Sequence, residues 1–471
     1  MREFARRVYR FSLTDLSTLL LFLTVYACAV LEIPAVGICL MAAVGCLYCI
    51  CHHDVLPLIL PFLFIYCLSF LCPSAVWLIW LGIPCGLALL FCLWKNRRTT
   101  RPGRTFPGLA ATAAAILMGG LGSITAEEYF APGALFIVLG LSVMLVGFYF
   151  LLQGSLARPR DYDVADYVSR TMYACAVFAV FLILRVCLTN PEILEGGLDG
   201  FVERLERLIV WRNGASNLAM MCLPFIFYYA RKHSPLHLLS AVLVYAVVAC
   251  AGSRAALLLG ALLVFVGFLY YAHGRPVLTG AILSVTAAAL VLIFLFREPI
   301  VYFVEEVICF RLDLDYHDEA RYKLFVRSLE DFRHSPIFGR GMGYTGNDDL
   351  YPLLSVEEEA ARWRVHWYHC LIPQIIGSLG TVGVIAYGFQ FLLRLREIYT
   401  ARRTAFVGTL AITYFGILAY SMLDPGIFSP MPFGILTVLL IALLEVQPRR
   451  ETKKAGKEKA QKNGKIKQAS C

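Results

Sequence analysis

The sequence predicts an all-α fold: a polytopic transmembrane helix bundle with one large, partly helical extracytoplasmic loop. Three observations carry that prediction. Hydrophobic residues make up 59% of the 471-residue chain and charged residues 16%, with a mean hydropathy of +0.69; a soluble domain is about half apolar and about a quarter charged. The charges are segregated between uncharged runs of about 17–25 residues, the length that spans a bilayer. Basic residues recur in every second loop, as they do on the cytoplasmic side of membrane proteins.

Fourteen candidate spans follow from the apolar runs: 13–31, 34–51, 55–72, 75–94, 107–124, 130–152, 168–188, 214–230, 236–252, 254–272, 277–296, 369–393, 405–423 and 430–446. The basic start "MREFARRVYRFSLTD" leads into the first run without a small-residue cleavage site, so a retained first helix is expected. With the N-terminus inside, the inside loops are "KNRRTTRPGR", "GSLARPRDY", "RKHSPLH", "AHGRP" and "RLREIYTARR". Each carries an Arg. The chain then divides into residues 1–296 with the first eleven spans, an extracytoplasmic loop at 297–368, the last three spans within 369–448, and a tail at 449–471. Both termini fall on the cytoplasmic side of the cell membrane. The 297–368 loop has fourteen Asp/Glu against nine Lys/Arg, net −5.

The tail holds nine Lys/Arg and two Glu, so net +7 of the whole chain's +9. It lacks apolar periodicity and reads as a disordered, solvated tail that fixes topology, or one that touches anionic headgroups of the membrane lipids. Nucleic acid is not an expected partner, because this charge forms no folded basic face. Most of the sixteen cysteines sit in apolar runs, among them Cys46, Cys49, Cys51, Cys67, Cys85 and Cys222, where thiols act as small hydrophobes. There is no disulfide framework and no zinc spacing; only Cys309 and Cys370 stand in or beside the outer loop. No metal and no cofactor are expected.

Long loops are often functional, and 297–368 is the longest external one. In "DEARYKLFVRSLEDFRHSP", Tyr322, Phe325, Leu329 and Phe332 have helical spacing and Pro336 ends the run. A helix on the outer face is expected. In "PIFGRGMGYTGND", the glycines at 339, 341, 343 and 346 suit tight turns or close backbone approach. No strand precedes them and no Gly-Lys-Ser/Thr follows, so they make a weak phosphate motif. No Walker motif occurs anywhere in the chain, which argues against ATP hydrolysis.

Three residues attract chemistry. Arg254, between two spans with almost no loop, either snorkels to water or meets an anion. Arg321 either pairs with Asp318 or Glu319 or serves a site. His369 opens a span in "WYHCLIPQIIGSLGTVGV" and is either an interfacial ring or a proton carrier. The expected topology puts all three on one face. Two guanidiniums and an imidazole together suit an anionic substrate: Arg offers planar, bidentate donors to phosphate, and His moves a proton near neutral pH.

These stretches resemble the O-antigen ligase family, with its related polymerases and polysaccharide ligases, over about residues 210–390. "NGASNLAMMCLPFIFYY" followed by "AGSRAALL" is similar to the family's Asn-containing span and its Ser-Arg motif. "ARYKLFVRSLEDFRHSPIFGRGMG" is similar to its Arg-opened helix, Pro and Gly-x-Gly. "HCLIPQIIGSLGTVG" matches its offsets from His369 to Gln374, Gly380 and Gly383. Cys370 replaces the usual Asn, Ser378 a common acidic residue and Phe325 a frequent Trp, which leaves the branch and the acceptor open.

The resemblance implies a metal-independent glycosyl transfer. The donor would be a glycan on a polyprenyl diphosphate. The acceptor hydroxyl would belong to a sugar, a lipid-linked or surface glycan, a wall polymer, or sometimes a protein. Arg254 and Arg321 would stabilise the diphosphate, and His369 would act as base on the acceptor or position it. Asn217, Arg340 and His366 would join substrate binding, with His366 a rival for the role of base. Two alternatives stand beside ligation: a polymerase with the same donor, and a transporter or flippase of lipid-linked sugar. A transporter would more typically show internal repeats and charges at mid-membrane; neither is evident. A receptor or scaffold would not need Arg254 at a span boundary.

Overall fold

The computed structural model describes residues 2–69, 71–72, 78–123, 132–190, 212–250, 254–297, 314–341, 368, 370–422 and 434–447. Its helices, in order, are α1 (Arg2–Ser12), α2 (Asp15–Val30), α3 (Pro34–Cys51), α4 (Ile59–Ser69), α5 (Leu78–Asn96), α6 (Phe106–Ser123), α7 (Pro132–Leu156), α8 (Val164–Thr189), α9 (Arg212–Lys232), α10 (His237–Cys250), α11 (Arg254–Ala272), α12 (Pro276–Leu295), α13 (Leu314–His334), α14 (Leu371–Ala401), α15 (Ala405–Ser421) and α16 (Ile435–Glu445). No strand occurs among the described residues.

Local signals set several starts. Thr14 caps α2 by accepting from the Ser17 N–H at 3.1 Å, and Asp163 caps α8 by accepting from Ala165 and Asp166. Pro34 and Pro276 stand in the first turns of α3 and α12, where the missing N–H costs nothing.

A helix stands at each of the fourteen expected spans, although α9 is less apolar than the rest. Four windows are long and apolar enough to cross a bilayer: Pro34–Cys51, Val138–Leu156, Val164–Val186 and Leu371–Ala401. A fifth arises if α1 and α2, bent by 76°, are taken as one. α4 and α16 have 11 residues each, about 16 Å of helix at 1.5 Å per residue, short of a full crossing. The remaining departure is α1: the basic start is itself a helix, folded back at the bundle end.

The outside of the bundle shows what solvent it needs. α12 exposes Val277 (86%), Val285 (69%) and Phe294 (69%) and buries almost nothing. An apolar helix with so little buried fits hydrocarbon, not water. The interior is centred on α9, which packs on α8, α10, α11 and α15. Met172, Cys175 and Phe178 of α8 meet Leu218, Cys222 and Phe225 of α9 there, all fully buried. The thiols behave as the small hydrophobes expected of them.

Hydrogen bonds gather the basic loops at one end of the bundle. Lys95 donates to the Cys49 and His52 carbonyls at 2.5 and 2.6 Å. Thr99 donates to Gly154 O at 2.8 Å, and Arg158 to Asn96 at 2.9 Å. Lys232 meets Asp163 at 2.8 Å, Arg231 donates to Tyr270 O at 3.2 Å, and Tyr270 to Ala405 O at 3.0 Å. The first and last described helices reach the same place: Tyr9 of α1 donates to Asp54 at 3.2 Å, and Glu445 of α16 accepts from Thr105 N–H at 2.6 Å. The alternation read from the sequence therefore groups these loops correctly. The starts of α9, α11 and α14 lie at the opposite end.

Candidate functional site

At that opposite end α14 is broken. Gly380 has φ 60° and ψ −154°, outside any helix, and only glycine adopts such a backbone without strain. The break frees carbonyls above it and N–H groups below it. Residues 336–341 replace the lost partners. The Arg340 and Gly341 N–H groups donate to Gly377 O and Ser378 O at 2.8 and 2.9 Å. The Thr381 and Val382 N–H groups donate to Pro336 O and Ile337 O at 2.9 and 3.1 Å. A side chain at Gly339 would sit 2.3 Å from the Ser378 carbonyl carbon, so the close backbone approach expected of this glycine run is real there. Gly380 both lets the 337–339 backbone come close and interrupts the helix, because its positive φ cannot continue the turn.

The inserted segment follows directly from α13, which packs on α14. The stripe Tyr322, Phe325 and Leu329 is the exposed side of α13, at 67%, 44% and 36%, while Leu324, Ser328 and Asp331 are buried at 2%, 0% and 1%. Spacing found the helix, but its polar side is the one turned inward. The reason is Asp331. Its Oδ2 accepts from the Tyr368 hydroxyl at 2.5 Å. Its Oδ1 lies 3.4 Å from Arg327 Nε and 3.9 Å from Arg340 Nε. Burial raises the Asp331 carboxyl above the usual range, against the Tyr368 hydroxyl and the two guanidiniums.

Tyr368 is held at three points. Its N–H donates to Gln374 Oε1 at 3.0 Å, and Gln374 Nε2 donates to Ser378 Oγ at 2.8 Å. Its ring lies over Gly377, where a Cβ would come within 2.7 Å of it. Its hydroxyl is on Asp331.

Of the residues picked from sequence, Arg340 lies in this cluster. Asn217 is in α9, 1% exposed, and neither its amide nor the Ser216 hydroxyl has a hydrogen-bond partner among the described residues; buried polar groups are nearly always paired. Arg254 begins α11, and Arg321 belongs to α13. α15 is a helix that touches both α11 and α14. His366 and His369 lie outside the described residues, as do Cys309 and the tail. Cys370 is a free thiol. Asp331, Arg327 and Tyr368 escaped the sequence reading, because a lone carboxylate among loop charges carries no periodic signal.

A second polar cluster lies at the basic end. Arg160 meets both Asp54 oxygens at 3.3 Å, Ser155 donates to Asp54 Oδ1 at 3.0 Å, and Tyr162 and Tyr9 donate to Oδ2. Burial pushes the Asp54 carboxyl up, but Arg160 and Tyr162 outweigh it and hold the group below the usual range. It closes loops against one another. An apolar cavity of about 800 Å³ lies among α3, α4, α5 and α7. Hydrocarbon and thiols such as Met41, Phe62, Cys46 and Cys85 line most of it, so it has nothing to hold an anion. Among the described residues no three His, Cys, Asp or Glu converge on a metal position.

No protein-family model matches the chain, and no curated protein is significantly similar to it.

Proposed function

We propose that the protein is an O-antigen ligase-like membrane glycosyltransferase. It moves a glycan from a polyprenyl-diphosphate carrier to an acceptor hydroxyl at the extracytoplasmic surface, without a metal. The observation that carries the reading is the convergence of Arg327 and Arg340 on Asp331 beside the start of α14, next to where the family resemblance puts its histidine. Arg254 heads α11, and Asn217 lies in the second turn of α9, whose start is at the same end.

In the reaction, the acceptor oxygen bonds to the anomeric carbon and its proton passes to His369. The bond from that carbon to the diphosphate oxygen breaks, and the polyprenyl diphosphate leaves with the electron pair on that terminal phosphate oxygen. Charge grows on the leaving group, so cations already in place lower the barrier. Only the part of their attraction that strengthens in the transition state adds rate. Arg254, Arg321 and Arg340 serve that charge. Asn217 and His366 complete substrate binding.

The test is the purified full-length protein in nanodiscs with a polyprenyl-diphosphate glycan and a second glycan acceptor. Transfer to the acceptor is expected, and Arg254→Ala and His369→Ala abolish it while both variants still insert. Full activity in both variants overturns the assignment. A lengthened donor with no transfer identifies a polymerase; an unconsumed donor that crosses the bilayer identifies a transporter.

A further inference from the structure

Asp331 is nearly inaccessible, at 1% exposure, so it cannot meet a substrate. Its contacts instead join three pieces of chain that the transfer reaction needs together. Arg327 comes from its own helix. Arg340 comes from the segment inserted in the break of α14. Tyr368 comes from the residue that precedes the predicted base. The Arg340 backbone is already pinned to Gly377 O at 2.8 Å, and the Tyr368 N–H to Gln374 at 3.0 Å. What remains to be fixed on each is the direction of the side chain, and Asp331 holds both. Arg327 Nε and Arg340 Nε stand 3.4 and 3.9 Å from Asp331 Oδ1, so the carboxylate draws the two arginines together by charge.

We propose that Asp331 is a positioning residue: by accepting the Tyr368 hydroxyl and drawing Arg327 and Arg340 to one oxygen, it sets the diphosphate-binding Arg340 and the entrance of α14 in a single arrangement. Asp331 and Tyr368 thus act as one unit, and Arg327 joins the cationic side of the site. This role rests on the transfer reading above. Its first consequence is kinetic. Misplacing groups by about an ångström costs on the order of a hundredfold in rate, and residues that act as a unit lose activity non-additively.

The test compares Asp331→Asn, Tyr368→Phe and the double variant in the full-length protein in nanodiscs. Each single variant is expected to lower kcat on the order of a hundredfold with the donor KM little changed and the thermal midpoint near that of the parent. The double variant is expected to be no worse than the poorer single one. Multiplying losses in the double variant, or unchanged kcat in either single one, overturn the proposal. Tyr368→Phe keeps the ring over Gly377, so it tests the hydroxyl even if Asp331→Asn fails to fold.

A second readout needs no activity. Cys370, half-buried at the cap of α14, is alkylated with a membrane-impermeant maleimide in a Cys309→Ser background, and its peptide is followed by mass spectrometry. Faster labelling in both variants supports the clamp, even if the parent transfers no glycan and the transfer reading falls. Unchanged labelling overturns the clamp whatever the activity.

Discussion

His52 is 7% exposed, between the rings of Tyr9 and Tyr48 at 4.9 and 5.5 Å. Burial lowers its pKa from 6.5 to about 4, with Asp54 opposing the shift and Lys95 adding to it. The native imidazole is therefore neutral between those values, while the unfolded one is protonated. The unfolded state binds more protons there, so stability rises with pH across that window and falls on acidification. At about 1.4 kcal/mol per pH unit the loss reaches about 3 kcal/mol by pH 4. Thermal midpoints of parent and His52→Phe between pH 7 and 4 check this: the parent falls more steeply and the variant loses that part of the slope. Asp54, held below its usual range, contributes stability that is lost only at lower pH, so the two windows separate. Nothing in "CHHDVLP" announced either role, since both depend on partners such as Tyr9 and Arg160 that are distant in sequence.

The break in α14 is the feature on which the element scale turns. A Cβ at Gly380 would lie 2.6 Å from Ile337 O and 2.7 Å from Gly339 N. The φ of 60° is itself unfavourable for alanine. Gly388, farther along the same helix, has open space around it. Gly380→Ala is expected to destabilise by more than about 1 kcal/mol and to abolish transfer. Gly388→Ala is expected to be neutral or to stabilise by up to about 1 kcal/mol through helix propensity. Thermal unfolding of both variants in nanodiscs decides it; equal midpoints would refute the reading of the break. The sequence signalled the glycines but not the hydrogen bonds from Pro336–Gly341 that satisfy them. Nor did it signal that α13 turns Ser328 and Asp331 inward. Periodicity reports where apolar side chains lie, and here a buried carboxylate with two arginines reversed the usual preference.

At the scale of the molecule, hydropathy located a helix for each of the fourteen runs, and charge alternation grouped the loops now seen bonded at one end. The reason is that both signals are local and large. The pairing of Asp331 with Tyr368 spans 37 positions and depends on how helices pack, which a single sequence does not encode visibly. The grouping predicts a topology. Fluorescent-protein fusions after residue 447 and alkaline phosphatase fusions near residue 345 should both be active, each on its own side of the membrane; the reverse pattern would invert the assignment. The inserted segment also bears on how the chain is made. Residues 336–341 are synthesised before α14, whose break would otherwise carry unsatisfied backbone groups into hydrocarbon at several kcal/mol each. The outer half of α14 is thus a poor independent insertion unit. On the topology proposed above, its integration waits on a piece of polypeptide already delivered across the bilayer, which would make translocation of the preceding loop a condition for inserting the helix that follows it.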